Sequence, residues 1–253
     1  MYKYDENFYH YINQGAMDSA CVVVPALLSV LQKPVESILD VGCGAGAWLT
    51  VWKSHGVTVR GLDGDYVKPE QLLIYPEEFH AVDLSSEFDL NCRFSLVQSL
   101  EVAEHLPGSS AASFVRSLCR HSDMVLFSAA PPGQGGENHS NEQPYAFWRE
   151  LFRQQGYDMY DPIRRILLKN KLVKPWYRYN TFLYIKAGSA TGSSAALSYY
   201  RVGQSEAIVD FSPPIYRLRK RLVSLLPGPA STALAIMKKT LFRTYFRLKG
   251  VHG

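Results

Sequence analysis

Glu101, Glu104 and His105 stand together in "LEVAEHLP" (100–107), directly after the apolar run "FSLVQS". A turn that only reversed the chain would use Gly, Pro, Asn or Asp. A second cluster follows in "GGENHSNEQP" (135–144), with His139 and Glu142. Two carboxylates and two imidazoles on adjacent loops could hold a divalent cation. Mixed oxygen and nitrogen ligands with open positions suit magnesium, manganese or iron(II) better than a closed zinc site. Without a metal, His105 or His139 is the candidate general base, because imidazole titrates near neutrality. The plain alternative is that Glu104 braces its loop and His105 is a satisfied core histidine.

Those loops must be carried by regular elements, and the sequence alternates accordingly. "SACVVVPALLSVLQ" (19–32) reads as an entry helix broken by Pro25. "SILDVG" (37–42), "VTVRGLDG" (57–64), "FHAVDL" (79–84), "FSLVQSL" (94–100), "DMVLFSAA" (123–130) and "NTFLYIKA" (180–187) read as strands. Helices are expected near 46–55, over 110–121, and over "PYAFWRELFRQQG" (144–156). Strands and helices in alternation predict an α/β fold, a mostly parallel sheet with helices on both faces.

The first strand ends in "LDVGCGAGAW", with Gly42, Gly44 and Gly46 before a helix. Glycines let the chain turn tightly and let a ligand approach the backbone. Asp63 ends the second strand, where a carboxylate can accept hydrogen bonds from both hydroxyls of a ribose. Asp83 ends the third, within reach of an adenine amino group. Asp40 before the Gly turn would repel a pyrophosphate but suits a cationic ligand. Together these residues resemble a class I S-adenosylmethionine-dependent methyltransferase over about residues 35–187.

The resemblance implies a Rossmann-like seven-stranded sheet whose last strand runs antiparallel. S-adenosyl-L-methionine would lie across the carboxyl ends of strands one, two and four. Its contacts would come from Asp40, Gly42, Gly44, Gly46, Asp63, Asp83, Ser99 and Leu100. The E-x-x-E-H loop is similar to that of metal-dependent O-methyltransferases of small-RNA ends and ubiquinone precursors. Carried over by position, the implied ligands of Mg2+, Mn2+ or Fe2+ are Glu101, Glu104, His105 and His139. The loop "FSAAPPGQGGENHSNEQP" also resembles bacterial methyltransferases of sugar and secondary-metabolite pathways. The expected reaction is therefore O-methylation of a sugar, glycan precursor or other hydroxylated small molecule. An N-methyltransferase and a non-catalytic cofactor-binding scaffold are the alternatives. "KPWYRYN" (174–180) offers Trp176, Tyr177 and Tyr179 to an acceptor pocket or to the core.

Charge divides the chain. Residues 211–253 hold nine Lys and Arg and no Asp or Glu, which leaves 18 basic and 23 acidic residues before them. The expected organisation is a methyltransferase domain over 1–187, with N-terminal helices over 1–36. A Gly/Ser-rich linker would follow over 188–212, then a basic amphipathic helical tail over 213–253. The tail's apolar side is expected to dock on the body or on a second subunit of a homodimer. An anionic membrane ranks second and nucleic acid last. Four cysteines without a C-x-x-C pair suggest reduced thiols. Asp5 and Glu6 near the start, and an apolar run judged too short for a bilayer, suggest a cytoplasmic protein. The tail would place it at the inner face of the membrane.

Overall fold

The computed structural model describes residues 6–192 and 195–226, with Ala230, Ala233, Ile236 and Met237 besides. The chain enters on α1 (Glu6–Leu31), which runs through Pro25 without the expected break. Proline removes one helical hydrogen bond and leaves a carbonyl unpaired four residues earlier. Pro25 and Cys21 both lie on the exposed side of α1, where water can take that carbonyl. Its stretch Asn13–Leu31 is long and apolar enough to cross a membrane, contrary to the sequence reading. Here it is a core helix. Ala20, Val23, Val24 and Leu27 are fully buried. They belong to the cluster that also takes in residues of α2 (Ala47–Ser54) and α5 (Pro162–Leu167).

The sheet is built from β1 (Ser37–Val41), β2 (Thr58–Asp63), β3 (Phe79–Ala81), β4 (Leu96–Leu100), β5 (Met124–Ser128), β6 (Tyr157–Tyr160), β7 (Phe182–Lys186) and β8 (Arg201–Val202). Its order is β3-β2-β1-β4-β5-β7-β6-β8. The first five strands pair in parallel. β7 lies antiparallel between β5 and β6. Alternate side chains feed two cores, as a twofold strand period requires. On β5 and β7, Met124, Leu126, Leu183 and Ile185 join the core under α1 and α2. Val125, Phe127, Phe182 and Tyr184 join the other core, under α3 (Ala111–His121) and α4 (Tyr145–Gln154).

Two expectations about the C-terminal third need correction. The stretch 188–212 is not a free linker. It contributes α7 (Ala195–Ser198), with Leu197 fully buried, and β8, an eighth strand antiparallel to β6. Arg164, itself fully buried, forks onto Asp161 at 2.9 and 3.0 Å and donates to the Val209 carbonyl at 2.7 Å. Its guanidinium also stacks over the Phe211 ring. A few anchors thus outweigh a Gly/Ser-rich composition.

The tail begins with α8 (Pro214–Val223), which docks by the side opposite to expectation. Lys220 and Val223 are buried, whereas Ile215, Leu218, Leu222 and Leu225 are exposed. Lys220 pairs with Asp210 at 2.5 Å, and Arg219 donates to the Gln134 carbonyl at 3.0 Å. Polar partners therefore decide which face turns inward. The second basic stretch, "ALAIMKKTLFRTYFRLKG", lies outside the described residues but for Ala233, Ile236 and Met237.

The carboxyl ends of β1, β2, β4 and β5 carry the Gly turn, Asp63, Glu101 and the loop 131–142. One close approach supports the Gly turn from beneath. A Cβ on Gly61 would come within 2.6 Å of Cys43 Sγ and 3.0 Å of Leu49 Cδ1. Gly61→Ala should therefore destabilise the protein by about 1–3 kcal/mol through overpacking. Urea unfolding of the variant against the parent measures it. An unchanged midpoint would show that Cys43 and Leu49 yield freely.

Candidate functional site

The Gly turn is tied to β2 by its backbone. Gly42 and Cys43 donate to the Leu62 carbonyl at 2.7 and 3.1 Å. Gly42 has φ +84°, and a Cβ there would fall 2.2 Å from Val102. Only glycine fits both demands. Gly44 has φ +53°, yet an added Cβ would meet nothing within 4 Å. The backbone at Gly44 therefore faces open space. Gly46 (φ +89°) is the N-cap of α2, so the turn leads straight into that helix.

Asp63 faces the same turn from the end of β2. Its Oδ2 accepts from Gly44 N at 2.6 Å, and Oδ1 from Gly64 N at 2.7 Å and from the Tyr66 hydroxyl. Tyr66 thus already places a hydroxyl against the carboxylate expected to bind ribose hydroxyls. Nothing in the strand pattern singled it out. Asp83 lies two residues past β3. Its oxygens brace their own turn, accepting from Ser85 N, Ser85 Oγ and Ser86 Oγ at 2.9, 2.6 and 3.0 Å. Those bonds hold its carboxyl below the ordinary value. Ser99 and Leu100 are buried at the end of β4, and Ser99 Oγ has no partner among the described residues.

Glu101 follows β4 at φ +58°, a strained conformation for a residue with a side chain. Its amide is anchored on the Ser128 carbonyl at 3.0 Å. Its carboxylate accepts from Gln134 Nε2 at 2.6 Å and from Asn180 Nδ2 at 3.2 Å. Burial pushes the Glu101 carboxyl up against the pull of those amides and Ser128. Gln134 lies on a loop and Asn180 ends the short helix α6 (Pro175–Asn180), and their spacing in the chain carried no signal.

Glu104, His105 and His139 come together. Their ligand atoms all lie within 4.8 Å of one another. The two imidazoles stand edge to face with centroids 4.7 Å apart. Ser140 N and Asn141 N donate to the Glu104 carbonyl at 2.9 and 3.0 Å, which brings His139 alongside His105. Glu104 is only 1% exposed, and its Oε2 has no partner among the described residues. Burial pushes its carboxyl well up, and the neighbouring Glu101 adds to this. His105 keeps an exposed edge, yet desolvation of its ring against the loop lowers it to about 4, with His139 in the same direction. His139 Nδ1 lies 2.8 Å from Glu142 Oε1. A histidine held by a carboxylate through one nitrogen presents the other in a fixed direction. Burial raises Glu142, but bonds from His139, Gly135 and Gly133 reverse this and leave it below the ordinary value.

Glu101 is thus separated from the four-residue ligand set expected for a cation; the described residues unite three. One neutral imidazole, a second imidazole and an orphaned buried carboxylate oxygen form a donor set that fits a divalent cation. Of the aromatic residues, Tyr177 packs edge to face on Trp48 at 5.1 Å, while Tyr179 lies 6.4 Å from Tyr216 on α8. Tyr177 is therefore core. Trp176 is the exposed one.

Asp40 is 3% exposed inside β1. Burial pushes its carboxyl up to about 8, with Gln98 pulling down and Asp63 pushing further up. The folded free protein therefore holds a proton that the unfolded chain releases near pH 4. This group's contribution to stability is full below about pH 4 and fades as pH rises through about 8. Asp40→Asn should flatten the stability profile between those limits and raise relative stability above pH 8 or so. Thermal unfolding across that range, without ligand, is the check; parallel profiles for the two proteins would refute it.

A family model described as a methyltransferase domain matches residues 16–162. No curated protein sequence matches the chain. Solved structures do. DesVI of Streptomyces venezuelae aligns over 74% of this chain and 100% of its own, at 16% identity and TM-score 0.53. The sugar N-methyltransferase KedS8 of Streptoalloteichus sp ATCC 53650 covers 74% and 96%, at 16% identity and TM-score 0.55. Magnesium protoporphyrin IX methyltransferase of Synechocystis PCC 6803, solved with S-adenosylmethionine bound, covers 74% and 87%, at 19% identity and TM-score 0.51. At such identities the structural likeness speaks to the fold. The family match extends over more than half of the sequence, and by it the chain belongs to the class I S-adenosylmethionine-dependent methyltransferases.

Proposed function

We propose that this enzyme methylates a hydroxyl of a sugar, glycan precursor or related small molecule, with a divalent cation held by Glu104, His105 and His139. The observation that supports the metal is the buried Glu104 carboxylate, with Oε2 unpartnered among the described residues and one oxygen within 4.8 Å of a ring nitrogen of each of two imidazoles. S-adenosylmethionine supplies a methyl group on a sulfonium, which needs alignment more than activation. The open backbone at Gly44 gives the cofactor close approach, and Asp63 accepts from its ribose hydroxyls once Tyr66 yields. Asp40 supplies negative charge when a cationic ligand draws off its proton. A bound cation lowers the pKa of a coordinated hydroxyl. Glu101, fixed by Gln134 and Asn180, is left to face the acceptor or the methionine end of the cofactor.

N-methylation is the second reading. Half-buried Glu101 and buried Glu104 would suit a protonated amine as well as a metal, and the structurally similar KedS8 is a sugar N-methyltransferase. Metal dependence separates the two.

Asp63→Ala should weaken S-adenosylmethionine binding by roughly 1.5–3 kcal/mol, the worth of hydrogen bonds to a charged acceptor. Calorimetry reads this directly, and an unchanged affinity would remove Asp63 from the site. His139→Ala should lower metal affinity and turnover at least about 10–100-fold, the loss typical of a supporting partner alone. Cofactor affinity should stay near the parent's. The assay is turnover after chelation and re-addition of Mg2+, Mn2+ or Fe2+. Full activity in a metal-free preparation, on an amine acceptor, would replace the first reading with the second.

A further inference from the structure

Helix α8 has two distinct faces, and among the described residues only one is packed against the body. Tyr216, Arg219, Lys220 and Val223 recur at helical spacing and turn inward. Ile215, Leu218, Leu222 and Leu225 recur at the same spacing and turn outward, with Ile215 79% and Leu225 80% exposed. Leu225 lies in the turn just past α8; at 3.6 residues per turn the four positions would fall within an arc of about 80°. Arg217 and Arg221, both exposed, border that arc on the side away from the body. A row of large apolar side chains flanked by cations and free of acids is the pattern of a helix lying in a lipid interface.

We propose that α8 and the turn after it dock on an anionic lipid surface through Ile215, Leu218, Leu222 and Leu225, with Arg217 and Arg221 meeting the headgroup phosphates. Charge selects this occupant. Residues 211–253 carry nine basic and no acidic side chains, while the rest of the chain is net acidic. A second copy on the same face would set Arg217 and Arg221 against their own duplicates, with no carboxylate in that segment to neutralise them. Nucleic acid would use the arginines but leave the four apolar side chains in water. The body itself is already engaged through the opposite side, by the Lys220–Asp210 pair and the Arg219–Gln134 bond.

The test uses the full chain and vesicles of phosphatidylcholine, alone or mixed with phosphatidylglycerol. Co-sedimentation should show binding to the mixed vesicles that weakens with salt, and little to the neutral ones. L218D with L222D should reduce that binding at least about tenfold. R217Q with R221Q should reduce it about fivefold per arginine at low salt. Circular dichroism and S-adenosylmethionine affinity, expected unchanged, show that both variants fold. Absence of binding to the mixed vesicles at low salt would overturn the proposal. So would binding that the leucine variant leaves intact, because the apolar row would then be idle. A concentration-dependent dimer lost in L218D with L222D, without vesicle binding by the parent, would assign the face to a second copy instead.

Discussion

The loop that carries His139 hangs on one carboxylate. Glu142 accepts from Gly133 N and Gly135 N, both at 2.7 Å, and meets His139 Nδ1 at 2.8 Å. Those three bonds fold residues 133–142 into a closed loop. Everything that loop touches then takes a defined position. Gln134 reaches Glu101, His139 stands against His105, and the backbone at Gly133 packs so closely on Lys220 that a Cβ would fall 1.8 Å from its carbonyl oxygen. Glu142 itself faces none of the reacting groups expected. Its role is to hold those that do, as a carboxylate behind a histidine commonly does.

Charge organises the cleft in a second way. Asp40 and Glu104 are buried and Glu101 is half-buried, and desolvation raises all three carboxyls. Each therefore holds its proton more readily than an exposed carboxyl does, and a positive group nearby favours its charged form. The cofactor carries a sulfonium and an ammonium, and the proposed cation would add two charges. Raised carboxyls limit mutual repulsion among these acids in the absence of ligand. Binding of a cationic ligand beside them would be favoured by higher pH.

Strand-borne features were legible in the sequence, because a twofold apolar alternation ending in Gly or Asp has few other uses. β1, β2, β4 and β5 fell where "SILDVG", "VTVRGLDG", "FSLVQSL" and "DMVLFSAA" placed them. The Gly turn and Asp63 came with them. What failed to show depended on contacts between distant segments. β8 is two residues long, and α7 is four, too short for any periodicity to reveal. Gln134 and Asn180 matter only because folding sets both amides on Glu101. Spacing and the E-x-x-E-H resemblance grouped Glu101 with Glu104, yet its left-handed backbone and those two amides set it apart from the Glu104, His105 and His139 cluster. The orientation of α8 was misjudged for a related reason. Hydropathy pointed its leucines inward, while a single ion pair to Asp210 and one bond to Gln134 fixed the opposite face.

That orientation joins two parts of the molecule that the sequence kept separate. The inward face of α8 rests on the loop carrying Gln134, which in turn grips Glu101, so the helix is two hydrogen bonds from that carboxylate. Its outward face is the apolar row. A helix with its side chains is about 10–12 Å across. A lipid surface on that row would lie about one helix diameter from the acceptor loop. An acceptor anchored in the bilayer could then present its head group to the cleft without leaving the membrane. Such a route replaces a three-dimensional search by a local one, in the manner of any tethered ligand. It also gives the basic composition of the tail a purpose that docking on the acidic body alone does not require.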